Sequence, residues 1–243
     1  MLASPTRIET VEALRYGIQV WEAAARVEAP SFSSGCPALD RLLPEHGFPW
    51  GTLIEYLADN GSGAAALSLV AAREACRQGG ALVIVDRERQ FYPPAAANLG
   101  IDLANTLFVR PRTRKEQLWT LNQALSSSGV GAVLSWPEKL DDRAFRALQL
   151  AAENGGGVGL FLRPTGVRGH PTWAAMQLLV EALPAGKATR RLRVEIVRCR
   201  HGQAGAAVEV ELDDETGTLQ ESRFMRVDSP VAGAAGAARA PGA

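Results

Sequence analysis

Residues 57–70 read "LADNGSGAAALSLV". The stretch begins at the end of an apolar run, "TLIEYL" (52–57), and turns through Asn60, Gly61, Ser62 and Gly63. It then continues in small and apolar residues at helical spacing. A strand, a glycine turn and a helix in that order form the frame of a phosphate-binding loop, whose glycines let backbone amides curl around an anion at the helix N-terminus. In the Gly-x-x-x-x-Gly-Lys-Ser/Thr form, a lysine reaches the outer phosphates and a hydroxyl binds magnesium. Here Gly61 and Gly63 still allow the turn around Ser62. Ala58, however, stands at the first glycine position, Ala64 at the lysine and Ala65 at the hydroxyl. Losing one charge-assisted hydrogen bond costs roughly 1.5–3 kcal/mol, so no cofactor is expected and ATP binding should be weak or absent. The bare helix N-terminus retains only weak anion affinity.

On either side of the loop the pattern is a succession of βα units. A helix over 62–78 carries Leu67, Val70, Ala71 and Ala75 on one face and stops at Gly79–Gly80, and "ALVIVD" (81–86) reads as a buried strand. A second cycle consists of the strand "TLFVR" (106–110), a helix capped by Thr113 and Glu116 and carrying Leu118, Leu121 and Leu125, and the strand "GAVLSW" (131–136). A third has a helix after Asp141 with Phe145, Leu148 and Ala152, a Gly155–Gly157 stop, and "VGLFLRP" (158–164). Such repetition implies an α/β fold with a mainly parallel, helix-flanked sheet. Near the end, "RRLRVEIVRCR" and "AAVEVELDD" alternate apolar with charged residues around "HGQAG", predicting an antiparallel hairpin whose arginines face carboxylates across the strands.

Three segments are expected: an N-terminal helix and linker (1–30), a core domain (31–227) and a disordered Ala/Gly/Pro tail (228–243). In the first, Thr6 and Glu9 form a capping-box pair, and Ile8, Val11, Leu14, Ile18 and Trp21 make an apolar stripe suited to a partner or to the chain's own core. Trp21 is the strongest candidate anchor.

Composition narrows the function further. The 243 residues are 47% hydrophobic with a formal net charge of zero, so no whole-molecule field draws nucleic acid or a membrane. Any DNA contact is expected to be local and weak. Cys36, Cys76 and Cys199 are odd in number and lack metal-ligand spacing, and His46, His170 and His201 fall in loops without a second ligand, so no metal site is expected. With no signal core and no run of roughly 18 apolar residues, a cytoplasmic, non-membrane protein is expected.

The strand where a magnesium-linked aspartate would sit ends instead in Ser135 and Trp136. Asp86 and Glu88 follow "ALVIV", where a carboxylate can orient water, though without lysine or metal a solvated loop or a structural salt bridge suits Glu88 better. Arg163 and Arg168 offer cations beside the loop-forming Pro164 and Gly169.

Taken in order, Ser33, Gly35, Leu39 and Asp40, then Gly47, Pro49 and Gly51, the loop, the strand ending near Glu88 and "LGID" (99–102) resemble the RecA core over residues 31–137. Glu88 matches that family's catalytic glutamate, whereas the nucleotide lysine, threonine and magnesium aspartate have no counterpart. "WPEKLDDR" and "RPTGVRGHPTW" fall at its two DNA-binding loops and are short. A closer resemblance, spanning most of residues 31–220, is to the ImuA family, RecA-like accessory proteins of bacterial error-prone translesion synthesis sometimes grouped with the division inhibitor SulA. It rests on the degenerate loop, the 131–164 segment and the "RRLRVEIVRCR" hairpin. That resemblance implies an SOS-induced, non-hydrolysing adaptor that binds an ImuB-like Y-family homologue, an error-prone C-family polymerase and RecA. The alternatives are a SulA-like inhibitor of cell division, or a RecA-like ATPase in which Glu88 works with a displaced cation.

Overall fold

A computed structural model describes residues 30–185, 189–213 and 216–222. The expected N-terminal helix with its anchors Ile8 to Trp21, and the Ala/Gly/Pro tail, lie outside the described residues. In chain order the strands are β1 (Ser31–Phe32), β2 (Phe48–Pro49), β3 (Leu53–Leu57), β4 (Ala81–Val85), β5 (Thr106–Val109), β6 (Val130–Ser135), β7 (Val158–Arg163), β8 (Met176–Leu183), β9 (Thr189–Cys199), β10 (Ala207–Asp213) and β11 (Leu219–Glu221). The α-helices are α1 (Pro37–Asp40), α2 (Ala64–Arg77), α3 (Pro93–Asn98), α4 (Arg114–Leu125) and α5 (Asp142–Gly155).

Strands β3 to β11 form one sheet in the order β11-β10-β9-β8-β3-β7-β6-β4-β5. From β8 to β5 every neighbouring pair is parallel, and from β8 outward to β11 every pair is antiparallel. The parallel part follows from the apolar runs of β3, β4, β6 and β7, which are buried almost throughout because helices cover both faces. On one face α2 packs Leu67, Val70, Ala71 and Ala75 into a core with Ile54, Tyr56, Ile84, Leu134 and Leu160. On the other, α4 and α5 bring Leu121, Leu125, Phe145 and Leu148 against Leu53, Val83, Val133 and Phe161. Thr113 caps α4, accepting from the Glu116 N–H at 3.1 Å, and Asp141 caps α5, accepting from the Ala144 N–H at 2.8 Å.

The hairpin of β9 and β10 pairs in the expected antiparallel sense, with Arg191 3.1 Å from Glu209 and Arg193 3.0 Å from Glu181 of β8. β8 has no alternating pattern that marks it in the sequence. This strand runs parallel to β3 and antiparallel to β9, so it joins the two halves of the sheet. The "Ser-x-Gly" lead-in also has a structural job. Asp40 accepts from Ser33 Oγ at 2.6 Å and the Ser34 N–H at 2.8 Å, closing a turn over α2. Gly35 has φ +80° and sits where a Cβ would fall 2.3 Å from Val70 Cγ1, so any side chain there would lift the turn off the helix.

Cys76, half-buried on α2, has a thiol pushed up to about 11 by burial. The thiolate therefore gains population only as pH rises towards that value. At pH 7, alkylation of Cys76 by iodoacetamide is expected to run about 100-fold slower than for a thiol of ordinary acidity, rising about tenfold per pH unit up to pH 10. Mass spectrometry of the quenched protein checks this.

Candidate functional site

The end of β3, the turn and the first residues of α2 bring together all six loop positions singled out from the sequence. Ala58, Gly61, Ser62, Gly63, Ala64 and Ala65 line one cavity of about 430 Å³ at the carboxyl ends of the strands. Gly61 and Gly63 have φ of +80° and +87°, conformations that suit glycine and wrap the chain around the helix N-terminus. A Cβ on Gly63 would fall 2.6 Å from Leu192 Cδ2, so the hairpin strand β9 packs directly against the loop. Two contacts anchor the loop from outside: the Ala58 N–H donates to the Arg163 carbonyl at 2.9 Å, and Thr165 Oγ1 donates to Asp59 Oδ1 at 2.7 Å. Within the loop, the Ser62 hydroxyl accepts from the Ala64 N–H at 3.4 Å, engaging an amide at the mouth of the helix. No residue from 58 to 65 carries a cationic side chain.

At the neighbouring strand ends, polar side chains are committed to structural contacts. Ser135 at the end of β6 is buried; its hydroxyl donates to the Val85 carbonyl at 2.7 Å and accepts from Gln117 Nε2 at 3.4 Å. Trp136 then places its indole on the cavity wall. At the end of β4, Asp86 accepts the N–H groups of Gln90 at 3.0 Å and Phe91 at 2.9 Å, tying down the turn in which Arg89 adopts φ +58°. Glu88 pairs with Arg87 at 2.5 Å, is 41% exposed in its side chain and lies outside the cavity lining. Its carboxylate holds a surface ion pair. His46, His170 and His201 join no group of metal-ligating residues among those described.

Arg163 and Arg168 do not present free cations to a phosphate. Arg168 pairs with Glu195 at 3.1 Å. Arg163 turns inward and donates from Nη1 to Glu55 Oε1 at 2.6 Å. Glu55, fully buried on β3, also accepts from Thr172 Oγ1 at 2.8 Å and Gln177 Nε2 at 2.7 Å. Glu55 is hidden in the sequence because it sits inside the apolar run "TLIEYL". Its one visible sign was a charged residue in a strand whose neighbours are all apolar, a pattern that requires a buried partner.

Comparison with known proteins places this geometry. The model of the RecA N-terminal domain matches residues 15–135. The crystal structure of the RadB recombinase superposes with a TM-score of 0.64 at 18% identity, covering 79% of this chain and 99% of that one, a likeness of fold. RecA of Mesomycoplasma hyopneumoniae strain 7448 is 37% identical over 108 residues, which are 44% of this chain and 32% of that protein. The glycine loop at the end of β3 and the parallel sheet around it are thus a RecA-superfamily core. More extensively, the protein ImuA of Caulobacter vibrioides strain NA1000 / CB15N is 34% identical over 206 residues, covering 76% of this chain and 84% of that one. The chain belongs to the ImuA family.

Proposed function

We propose that this chain is a non-catalytic RecA-fold adaptor in DNA damage-induced mutagenesis. It works by binding proteins: an ImuB-like Y-family homologue, an error-prone C-family polymerase and RecA itself. The observation that carries this reading is a cavity of the nucleotide-binding shape whose chemical groups have been replaced. Ala64 and Ala65 stand at the lysine and hydroxyl positions, and Trp136 follows a structural Ser135 on the wall. A site of this kind holds its fold without a metal or a phosphate clamp, which suits a scaffold better than an ATPase.

The partner surface on this reading includes the N-terminal segment, with Ile8, Val11, Leu14, Ile18 and Trp21 as anchors. The test is to compare the full chain with one lacking residues 1–28 for binding to immobilised RecA and ImuB. Loss of five apolar anchors, one of them a tryptophan, is expected to weaken the engaged partner at least about tenfold. Unchanged affinity for both proteins would eliminate the segment as the contact. Capture of the bacterial division protein instead of either would favour the division-inhibitor alternative.

A further inference from the structure

A second groove, of about 690 Å³, lies away from the glycine loop, between α5 and the end of β9. One wall is a stripe of α5 bearing Arg146, Leu150 and Glu153, and the other carries Trp173, Arg198 and Arg200. Leu150 is 47% exposed, an apolar side chain of a central helix left in solvent. The three guanidinium groups stand out against their surroundings. Elsewhere Arg163, Arg168, Arg191 and Arg193 all pair with carboxylates. In the groove, Arg198 donates to the Thr172 carbonyl at 2.8 Å, Arg200 donates to the Trp173 carbonyl at 2.6 Å, and Arg146 lies 4.6 Å above the Trp173 ring. Among the described residues none of these three forms a salt bridge.

The chemistry suits a helix with an apolar stripe and a carboxylate at its edge better than it suits a nucleic acid. A polyanion would meet Asp142 and Glu153 in the same groove, and Arg146 already covers one face of the indole on which a base would stack. The described chain also begins beside it. The Pro30 carbonyl accepts from the Trp50 N–H at 3.1 Å, and the next residue, Gly51, accepts from Gln149 Nε2 at 3.2 Å. A Cβ on Gly51 would lie 3.5 Å from the Glu153 Cα, so residue 30 enters the fold at the Glu153 end of the groove. Residues 26–29, fully extended, reach at most about 14 Å. The α5 wall from Glu153 to Asp142 is roughly 16 Å long and a helical stripe from Trp21 to Ile8 about 20 Å, so the lengths match. At the helical spacing expected from the sequence, Glu22 flanks the stripe, four residues on from Ile18.

We propose that residues 6–25 lie in this groove of their own chain, with the apolar stripe against Leu150 and Trp173 and Glu22 facing the arginines. The anchors assigned above to partner binding are then covered in the free protein, and a partner must displace the segment to reach them. The inference is independent of which partner that is, because it concerns the chain alone.

The test places the photoreactive residue p-benzoylphenylalanine at position 21 of the full chain and irradiates the purified protein without partners. The expected result is an adduct within single chains, mapping by mass spectrometry to residues 146–153, 171–173 or 198–200. The double variant Arg146→Glu, Arg198→Glu, whose positions are exposed and tolerant of charge, should lower its yield at least about threefold, as should 1 M salt, which screens surface pairs. Adducts on other surfaces, adducts only between two chains, or a yield no higher than in the urea-unfolded protein would each overturn the proposal.

Discussion

Replacing Arg163 with Met is expected to lower the unfolding free energy by about 3–5 kcal/mol, because it leaves the buried Glu55 carboxylate without its cation. Arg163 donates to Glu55 at 2.6 Å, and Glu55 is fully enclosed, with only the neutral donors Thr172 and Gln177 left to it after the substitution. Methionine fills much of the arginine's volume, so the loss measures the stranded charge more than a cavity. The measurement is urea denaturation followed by far-UV circular dichroism, with the midpoint falling at an unchanged slope. Adding Glu55→Gln to the same chain removes the stranded charge and should restore most of the loss, a non-additivity that a purely steric effect would not give. A single-variant loss below about 1 kcal/mol, or a double variant as unstable as the single, would sink this account. The pair joins β3 to β7 next to the glycine loop, so the variant also tests what holds the cavity floor in place.

Titration of the full chain with Mg·ATP is expected to give a dissociation constant no tighter than about 0.1 mM. Two contacts missing at Ala64 and Ala65, each worth roughly 1.5–3 kcal/mol, move a loop of about micromolar affinity to somewhere between about 0.1 mM and tens of millimolar. The Ser62 hydroxyl engaged with the Ala64 amide, and the Trp136 indole on the wall, act in the same direction. Isothermal calorimetry with and without magnesium is the direct measurement. Micromolar, magnesium-dependent binding would overturn the adaptor reading and revive the ATPase alternative with Glu88 in a working role.

The repeated βα rhythm was legible because buried parallel strands are nearly continuous apolar runs and helices announce their caps. Thr113, Asp141 and the glycine stops each fell within a residue or two of the observed helix ends. The loop was legible through its glycines, and all six of its positions line one cavity. What escaped was whatever depends on pairing across the chain. "MQLLVEAL" has no alternation because β8 is covered on both faces over its first five residues, and nothing local shows that it turns the sheet from parallel to antiparallel. Glu55 and Arg163 are 108 positions apart, and only the β3–β7 register brings them together. Arg163 read locally as a loop cation beside a proline, whereas its partner one strand over makes it part of the interior.

Ser135 carries a further consequence. Its hydroxyl bridges β6 to the last carbonyl of β4 while taking a hydrogen bond from Gln117 of α4, so this one oxygen fastens two strands and a helix. An aspartate placed at that position would press a negative charge against the Val85 carbonyl in a fully buried site, where neither can be hydrated. A Ser135→Asp substitution would therefore destabilise the fold at the edge of the cavity. Ser135 in this way commits the end of β6 to the framework of the sheet, at a position where a carboxylate could not be hydrated.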